Sequence, residues 1–535
     1  GVIFGNLLPR FIDRSFLQLI ADSGVALLLF TLGVEFSFHR LRRTLGAVVW
    51  AAVAQMLLTI FIFLLVLLVF DISFLAALFL STAISLSSTA VVVKLLSERG
   101  ELATLPGEVA TAWLVIQDLA VVPLMVLLPT LTRIEVGSTG VISIVGTVFL
   151  GLVKAALLVL IVVLLGRFGI PRLLNRVAAL GQREMFLLST VGLVFLAAVT
   201  FYALGLSAGL GAFIAGLLVA ETSQNHAIFA EVRPLRDLFV VVFFITLGMV
   251  LPAEFLWRQG GLLLSLTTAI IVFKWFLVFG LARFLGYHRK TAFLVAVSLT
   301  QMSEFGFILA QEGVHIGALS GETYVFLVAL VFATIFASTP LVTHGHSLYY
   351  AFYHTLGRWW PKIFREALPL TPTGEQLPMS DHIVICGYGR VGKYIGRALS
   401  MANIPYVVID YNQHTISGLK EKGIPVVYGD PADKDVLDYA QVDLARAMII
   451  AIPDRHTQEM IIANTQSLNR RIRIICRTHH EEDQRHLKAL GVHTLVQPEF
   501  EASLSIVTRL LTDFGLPGEE IAGKISRLKI EHGLG

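Results

Sequence analysis

Asp118 stands in Val109–Thr132, a stretch with no other charged side chain. At about 1.5 Å rise per residue, it falls deep inside a hydrocarbon core about 30 Å thick. A charge at that depth costs several kcal/mol unless it meets water, a counter-ion or another helix, so such residues mark ion paths and proton relays. Two more ionisable groups lie at similar depth: Lys274 in TTAIIVFKWFLVFGLA and Glu304 in VSLTQMSEFGFILA. The segment STAISLSST adds small hydroxyl residues, among them Ser87, Ser88 and Thr89, and a second polar interruption brings Thr300 and Gln301. Hydroxyl and carbonyl oxygens at an interrupted helix are ligands for a dehydrated alkali cation. The competing reading is small-residue packing and polar locks between helices.

Charge arithmetic states what the set could do. Asp118 and Lys274 can neutralise one another until a cation arrives, and Gln117 offers a neutral amide oxygen beside the carboxylate. One carboxylate cannot hold a proton and an alkali cation together, and that exclusion is the minimum for exchange. Lys154 also falls in an apolar stretch, where it reads as a side chain reaching for the interface.

These residues need membrane helices to position them. Of 535 residues, 56% are hydrophobic and 15% charged, against about 25% charged in a soluble globular chain. The net charge of +3 gives no argument for nucleic acid. Eleven apolar segments follow: 15–35, 45–70, 73–95, 107–132, 141–166, 184–205, 206–220, 237–252, 260–282, 291–312 and 321–343. If all cross, one side collects fourteen Lys and Arg, including Arg42, Arg99, Arg236 and Lys290, while the other holds Arg10, Arg14, Arg133 and Arg258. The positive-inside rule makes the first side cytoplasmic, together with everything after about residue 345. Two polar breaks, one in each half, point to inverted repeats meeting at a midplane site. The opening GVIFGNLLPRFIDR reads as the end of a helix that begins earlier, not as a signal peptide.

Residues 346–380 read as an interfacial helix and a proline-containing linker. Beyond them, short apolar strands at 382–387, 406–410, 425–429, 447–452, 472–476 and 493–497 alternate with amphipathic helices. That is the pattern of a doubly wound α/β domain, placed at 381–500 with a tail over 501–535. After its first strand comes Gly387-Tyr388-Gly389-Arg390-Val391-Gly392, opening a helix and answered by Asp410 at the end of the next strand. A lone GxGxxG is weak, but in this context the glycines admit a diphosphate to the helix N-terminus and Asp410 can take a ribose diol. The acid disfavours a 2′-phosphate, so NAD(H) or an adenine nucleotide such as AMP or ATP is expected, with Asp430 and Arg477 as further contacts. The competing reading is an empty scaffold. Cys386 and Cys476 imply no disulfide framework, and Cys386 reads as a small core residue. The adjacent His479 and His480 lack metal-ligand spacing.

Six motifs carry a family resemblance: FTLGVEFSFHRLRR (30–43), LSSTAVVVKLLSERGEL (86–102), VIQDLAVVPL (115–124), GLGAFIAGLLVAETS (209–223), LFVVVFFITLGMVL (238–251) and SLTQMSEFGFILA (298–310). In kind and order they resemble the Kef-type branch of the monovalent cation:proton antiporter-2 family, and the last domain resembles the RCK (TrkA-N) domains of potassium transporters. The resemblance implies a multi-span helical transporter of about thirteen helices with broken crossing helices, a homodimer in the lipid bilayer, and an ancillary cytoplasmic regulator. The moving core would be 45–70, 73–95, 107–132, 260–282, 291–312 and 321–343, within a membrane domain ending near 345. It also implies K⁺ and H⁺ as the transported ions and the bacterial inner membrane as the location. Gln117 replaces the Asp or Asn usual in Na⁺-exchanging relatives, which favours K⁺. The loop 221–236 lacks the dense acidic cluster that glutathione gating would use. The alternatives are a ligand-gated potassium channel, a Na⁺/H⁺ antiporter, and an oxidoreductase using the Rossmann domain. The channel lacks a TVGYG-like filter, and the oxidoreductase lacks a second half to supply an acid/base group.

Overall fold

The structure is a computed structural model that describes residues 14–35, 46–102, 104–132, 182–203, 208–220, 225–249, 251–359, 380–478 and 481–531, with 172, 176, 177 and 222 besides. The expected span 141–166, Lys154, His479, His480 and most of the linker lie outside the described residues. The chain forms two compact units: Gly1–Val92, Val109–Leu281 and Ala296–Pro340 in the first, and Val93–Glu108, Ala282–Val295 and Leu341–Gly535 in the second.

The first unit is helical. Its elements are α1 (Arg14–Glu35), α2 (Gly46–Val69), α3 (Phe74–Ser85), α4 (Thr89–Glu98), α5 (Leu105–Thr132), α6 (Arg183–Ala203), α7 (Ala208–Ala220), α8 (Asn225–Met249), α9 (Ala253–Phe284), α10 (Arg289–Ser298), α11 (Phe305–His315) and α12 (Gly321–Thr343), of which α4, α5, α9, α10 and α12 run on into the second. Among the described residues, six helical stretches are long and apolar enough to cross a membrane. Leu57 and Phe61 on α2 and Phe276 on α9 stay exposed, the apolar surface that lipid covers.

The two expected polar interruptions are breaks between helices. Serine and threonine hydroxyls that bond back to carbonyls three or four residues earlier compete with the helix. Thr82 Oγ1 donates to Leu78 O and Ser85 Oγ to Thr82 O, both at 2.7 Å, and the chain turns extended at Leu86. Thr300 Oγ1 likewise donates to Val297 O at 2.9 Å where α10 stops. Each expected interrupted segment is therefore a pair of short helices, α3 with α4 and α10 with α11.

The second unit contains α13 (Gly345–Trp359) and a parallel sheet of β1 (Ile383–Cys386), β2 (Tyr406–Asp410), β3 (Val426–Tyr428), β4 (Ala447–Ile450), β5 (Arg473–Arg477) and β6 (Thr494–Val496). The strand order is β3-β2-β1-β4-β5-β6, and all five pairings are parallel. All six expected strands are present. Their apolar runs follow from burial on both faces. Val384, Cys386, Val407 and Ile409 pack on one side, and Ile385, Tyr406 and Val408 on the other. Both cysteines are buried and free, and burial pushes the Cys386 thiol up, so it is a core residue. The helices are α14 (Arg390–Met401), α15 (Gln413–Lys420), α16 (Lys434–Tyr439), α17 (Arg455–Leu468), α18 (Glu481–Ala489), α19 (Pro498–Asp513) and α20 (Gly518–Glu531).

Candidate ion site and nucleotide pocket

A broken helix leaves backbone groups that lipid cannot satisfy, so side chains must. Here they do. Lys274 Nζ reaches Leu86 O, Ser87 Oγ and Gln301 O, each at 2.8 Å, and so ties the first break to the second. Ser87 Oγ donates onward to Leu299 O at 3.0 Å, and Met302 N donates to Thr334 Oγ1 at 3.2 Å. On the other side of the first break, Ser87 N donates to Gln117 Oε1 at 2.9 Å and Gln55 Nε2 to Ser85 O at 3.0 Å. Gln117 Nε2 closes the ladder by donating to Gln55 Oε1 at 2.5 Å.

This arrangement revises two expectations. An ammonium has three N–H bonds, and the three contacts of Lys274 use that number, so it clamps the breaks and has none left for Asp118. Gln117 gives its carbonyl oxygen to Ser87 N and its amide to Gln55, so it positions the break. Gln55 was missed by the sequence reading, although a glutamine inside WAAVAQMLLTIF is a polar group at membrane depth and could have been flagged.

Asp118 is buried, with Thr89 Oγ1 donating to its Oδ2 at 2.6 Å from the first turn of α4. Gln301 Nε2 reaches Ser88 O at 3.4 Å and Ser298 O at 3.1 Å, while its Oε1 is buried without a hydrogen-bond donor. Ser88 Oγ accepts from Val91 N at 3.4 Å. Glu304 precedes α11 and accepts a long bond from Ser303 Oγ at 3.5 Å. The structure thus joins Asp118 with Thr89, and Gln301 with Ser88, while Thr300 bonds only within its own turn among the contacts described.

In the second unit a pocket opens at the carboxyl ends of β1, β2 and β4. Gly387, Tyr388, Gly389, Arg390, Val391, Asp410 and Arg477 line it. Gly387 has φ +88°, a conformation that glycine adopts without cost. A Cβ on Gly392 would collide with the Gly387 carbonyl, whereas one on Gly389 would meet open space. The glycines therefore divide turn, open face and close packing as a phosphate-binding turn requires. Asp410 accepts from Tyr388 N at 2.7 Å and Asn412 N at 2.8 Å. Burial nonetheless raises its carboxyl above the usual range, against those amides and Lys393. Arg477 Nε is buried without an acceptor. Burial lowers the Arg477 guanidinium, Glu499 opposes this, and Arg390 lowers it further, an arrangement that an anion would relieve.

Asp430 does not line the pocket. Its Oδ2 accepts from Lys290 Nζ at 3.0 Å and Tyr350 Oη at 3.2 Å, and its Oδ1 from Ala432 N at 3.0 Å. Burial pushes its carboxyl up, but Lys290 and the Ala432 amide outweigh that and hold it below the usual range. Lys290 is fully buried and also donates to Tyr350 Oη and Thr457 Oγ1, at 2.6 and 3.1 Å. Sequence order gave no sign of this network, because its members come from α10, α13 and the sheet domain.

Residues 1–344 match the family described as sodium/hydrogen exchanger, transmembrane, and residues 383–498 match the TrkA-N domain. The putative cation/proton antiporter YbaL of Escherichia coli (strain K12) is 30% identical over 522 residues, covering 96% of this chain and 91% of that protein. The putative K(+) efflux antiporter KefB of Alkalimonas amylolytica is 26% identical over 531 residues, covering 99% and 79%. Among solved structures, the TrkA-N domain of the Escherichia coli inner membrane protein ybaL aligns with 25% of this chain and 99% of its own, at 28% identity and a TM-score of 0.25.

Proposed function

We propose that this chain, which belongs to the sodium/hydrogen exchanger family of transmembrane proteins, exchanges K⁺ for H⁺ by alternating access under the control of a nucleotide. The chain is a cation/proton antiporter with a C-terminal TrkA-N domain. The reading of the site rests on one observation: a buried Asp118 bonded to the first turn after a helix break, where Lys274 and Gln117 take up backbone groups that the break frees. Asp118 is the carboxylate at the first break, and the transported ions compete for it. Asp118, Thr89 and the unpartnered Gln301 Oε1 supply oxygens, and protonation of Asp118 expels the cation. K⁺ is favoured by Gln117 in place of the Asp or Asn usual in Na⁺-exchanging relatives and by the KefB relative's name. Residues 1–345 carry exchange, 346–380 link, and 381–500 bind NAD(H) or AMP through the Gly387–Gly392 turn, Asp410 and Arg477, followed by the 501–535 tail. The protein acts as a homodimer in the bacterial inner membrane with its sheet domain in the cytoplasm.

The test is paired recording of cation flux and luminal pH in voltage-clamped proteoliposomes, with K⁺, Na⁺, Rb⁺ and Li⁺ offered in turn. A fixed K⁺ to H⁺ ratio is expected. K⁺ flux without a pH change would identify a channel, and a response to Na⁺ alone would identify a Na⁺/H⁺ antiporter. The nucleotide half is tested by Gly389→Asp. Its side chain has room to fold but sets a carboxylate where phosphate must sit. Calorimetric heat with AMP or NADH should disappear, and unaltered binding would remove the turn from the site.

A further inference from the structure

The pocket has a wall that no Rossmann pattern includes. Arg99 and Glu101 follow α4, His346 lies on α13, and Asp454 follows β4; Glu101, His346 and Asp454 face the pocket. Arg99 Nε donates to Glu101 Oε1 at 2.8 Å and its Nη2 to Asp454 Oδ1 at 3.4 Å. His346 sits between the same carboxylates, with Nε2 3.6 Å from Glu101 Oε2 and Nδ1 3.3 Å from Asp454 Oδ2. The second approach lacks the alignment of a hydrogen bond. Glu101, His346 and Asp454 are 8%, 8% and 6% exposed. Their ligand atoms are close enough to hold a metal ion, but the Arg99 guanidinium already lies against both carboxylates and supplies the positive charge they need. Burial pushes the Asp454 carboxyl up, yet His346, Thr457 and Lys290 outweigh this and hold it below the usual range.

The place of this cluster in the sheet gives it a consequence. Strand order reverses between β1 and β4, and a dinucleotide bound at such a point lies across both sides. The nucleoside whose ribose meets Asp410 occupies the β1–β2 side and ends its phosphate at the Gly387–Gly392 turn. The second nucleoside must extend over the end of β4, from Ala451 to Asp454, where the cluster stands.

We propose that Arg99, Glu101, His346 and Asp454 form a latch that sets nucleotide specificity. Closed, it leaves room for a mononucleotide such as AMP and bars the second nucleoside of a dinucleotide. Binding NADH then requires breaking buried ion pairs, while binding AMP does not. The proposal rests on the nucleotide reading above. It assigns specificity to residues outside the sheet domain, so the isolated domain would discriminate less than the full chain.

The test is calorimetry on the full-chain protein in detergent with AMP and NADH as probes. The parent should prefer AMP by about tenfold. Glu101→Ala and Asp454→Asn should each tighten NADH by about tenfold and move AMP by less than about twofold. Asp454→Asn keeps a side-chain oxygen to accept from Thr457 N, so the cap of α17 survives and misfolding does not cloud the result. A parent that prefers NADH, an unchanged NADH affinity in both variants, or equal changes for the two ligands would each overturn the latch while leaving nucleotide binding intact. A parent that binds neither ligand would instead remove the nucleotide reading, and the latch with it.

Discussion

Asp118→Asn should reduce cation-driven proton movement to the level of empty vesicles while the protein still folds. The substitution removes the titratable proton and the negative charge together, so neither ion has a site to compete for. The folded state should survive because an asparagine oxygen can still accept from Thr89 Oγ1, the bond that Asp118 Oδ2 now takes at 2.6 Å. Neutralising a carboxylate at membrane depth also removes a desolvation cost, so thermal stability should hold or rise. The readout is luminal pH in K⁺-loaded proteoliposomes beside a melting curve of the purified variant. Exchange near the parent rate in a well-folded variant would refute the site.

Lys274→Met should give the opposite pattern, a loss of stability first. The substitution keeps the length of the side chain but removes the nitrogen that joins Leu86 O, Ser87 Oγ and Gln301 O. Each buried acceptor left without a donor costs about 1–3 kcal/mol, so the two breaks should lose several kcal/mol of mutual support. A lower melting temperature is therefore expected, with exchange impaired in proportion to the loosened breaks. A simple counter-ion role predicts something else: Lys274→Met with Asp118→Asn would restore stability by removing both charges. The double variant decides between them. If it melts like the parent, the lysine is a partner of Asp118 and the clamp is wrong.

Residue type and spacing determined much of this molecule. Hydroxyls at Ser87, Ser88 and Thr89 and the polar run at Thr300–Glu304 announce broken membrane helices, and an isolated Asp118 announces a buried carboxylate on an unbroken one, because each violates the apolar rule of a span. The alternation of β-rich runs and the GxGxxG turn answered by Asp410 announce the sheet domain, since parallel strands buried on both faces need continuous apolar residues. These are local signals, and local signals survive in one dimension.

Only the tertiary structure decided which polar groups meet. Lys274 could satisfy a carboxylate or backbone carbonyls, and spacing cannot tell these apart, because the choice depends on where two breaks more than two hundred residues apart in the chain come to lie. Gln117 could face a cation or the backbone, and Gln55, from a helix with no other signal, settles it. Asp430 could hold a ligand or a lysine, and Lys290, remote in sequence, takes it. In each case a buried polar group must be satisfied, but the sequence states only the need. Its partner is fixed by packing.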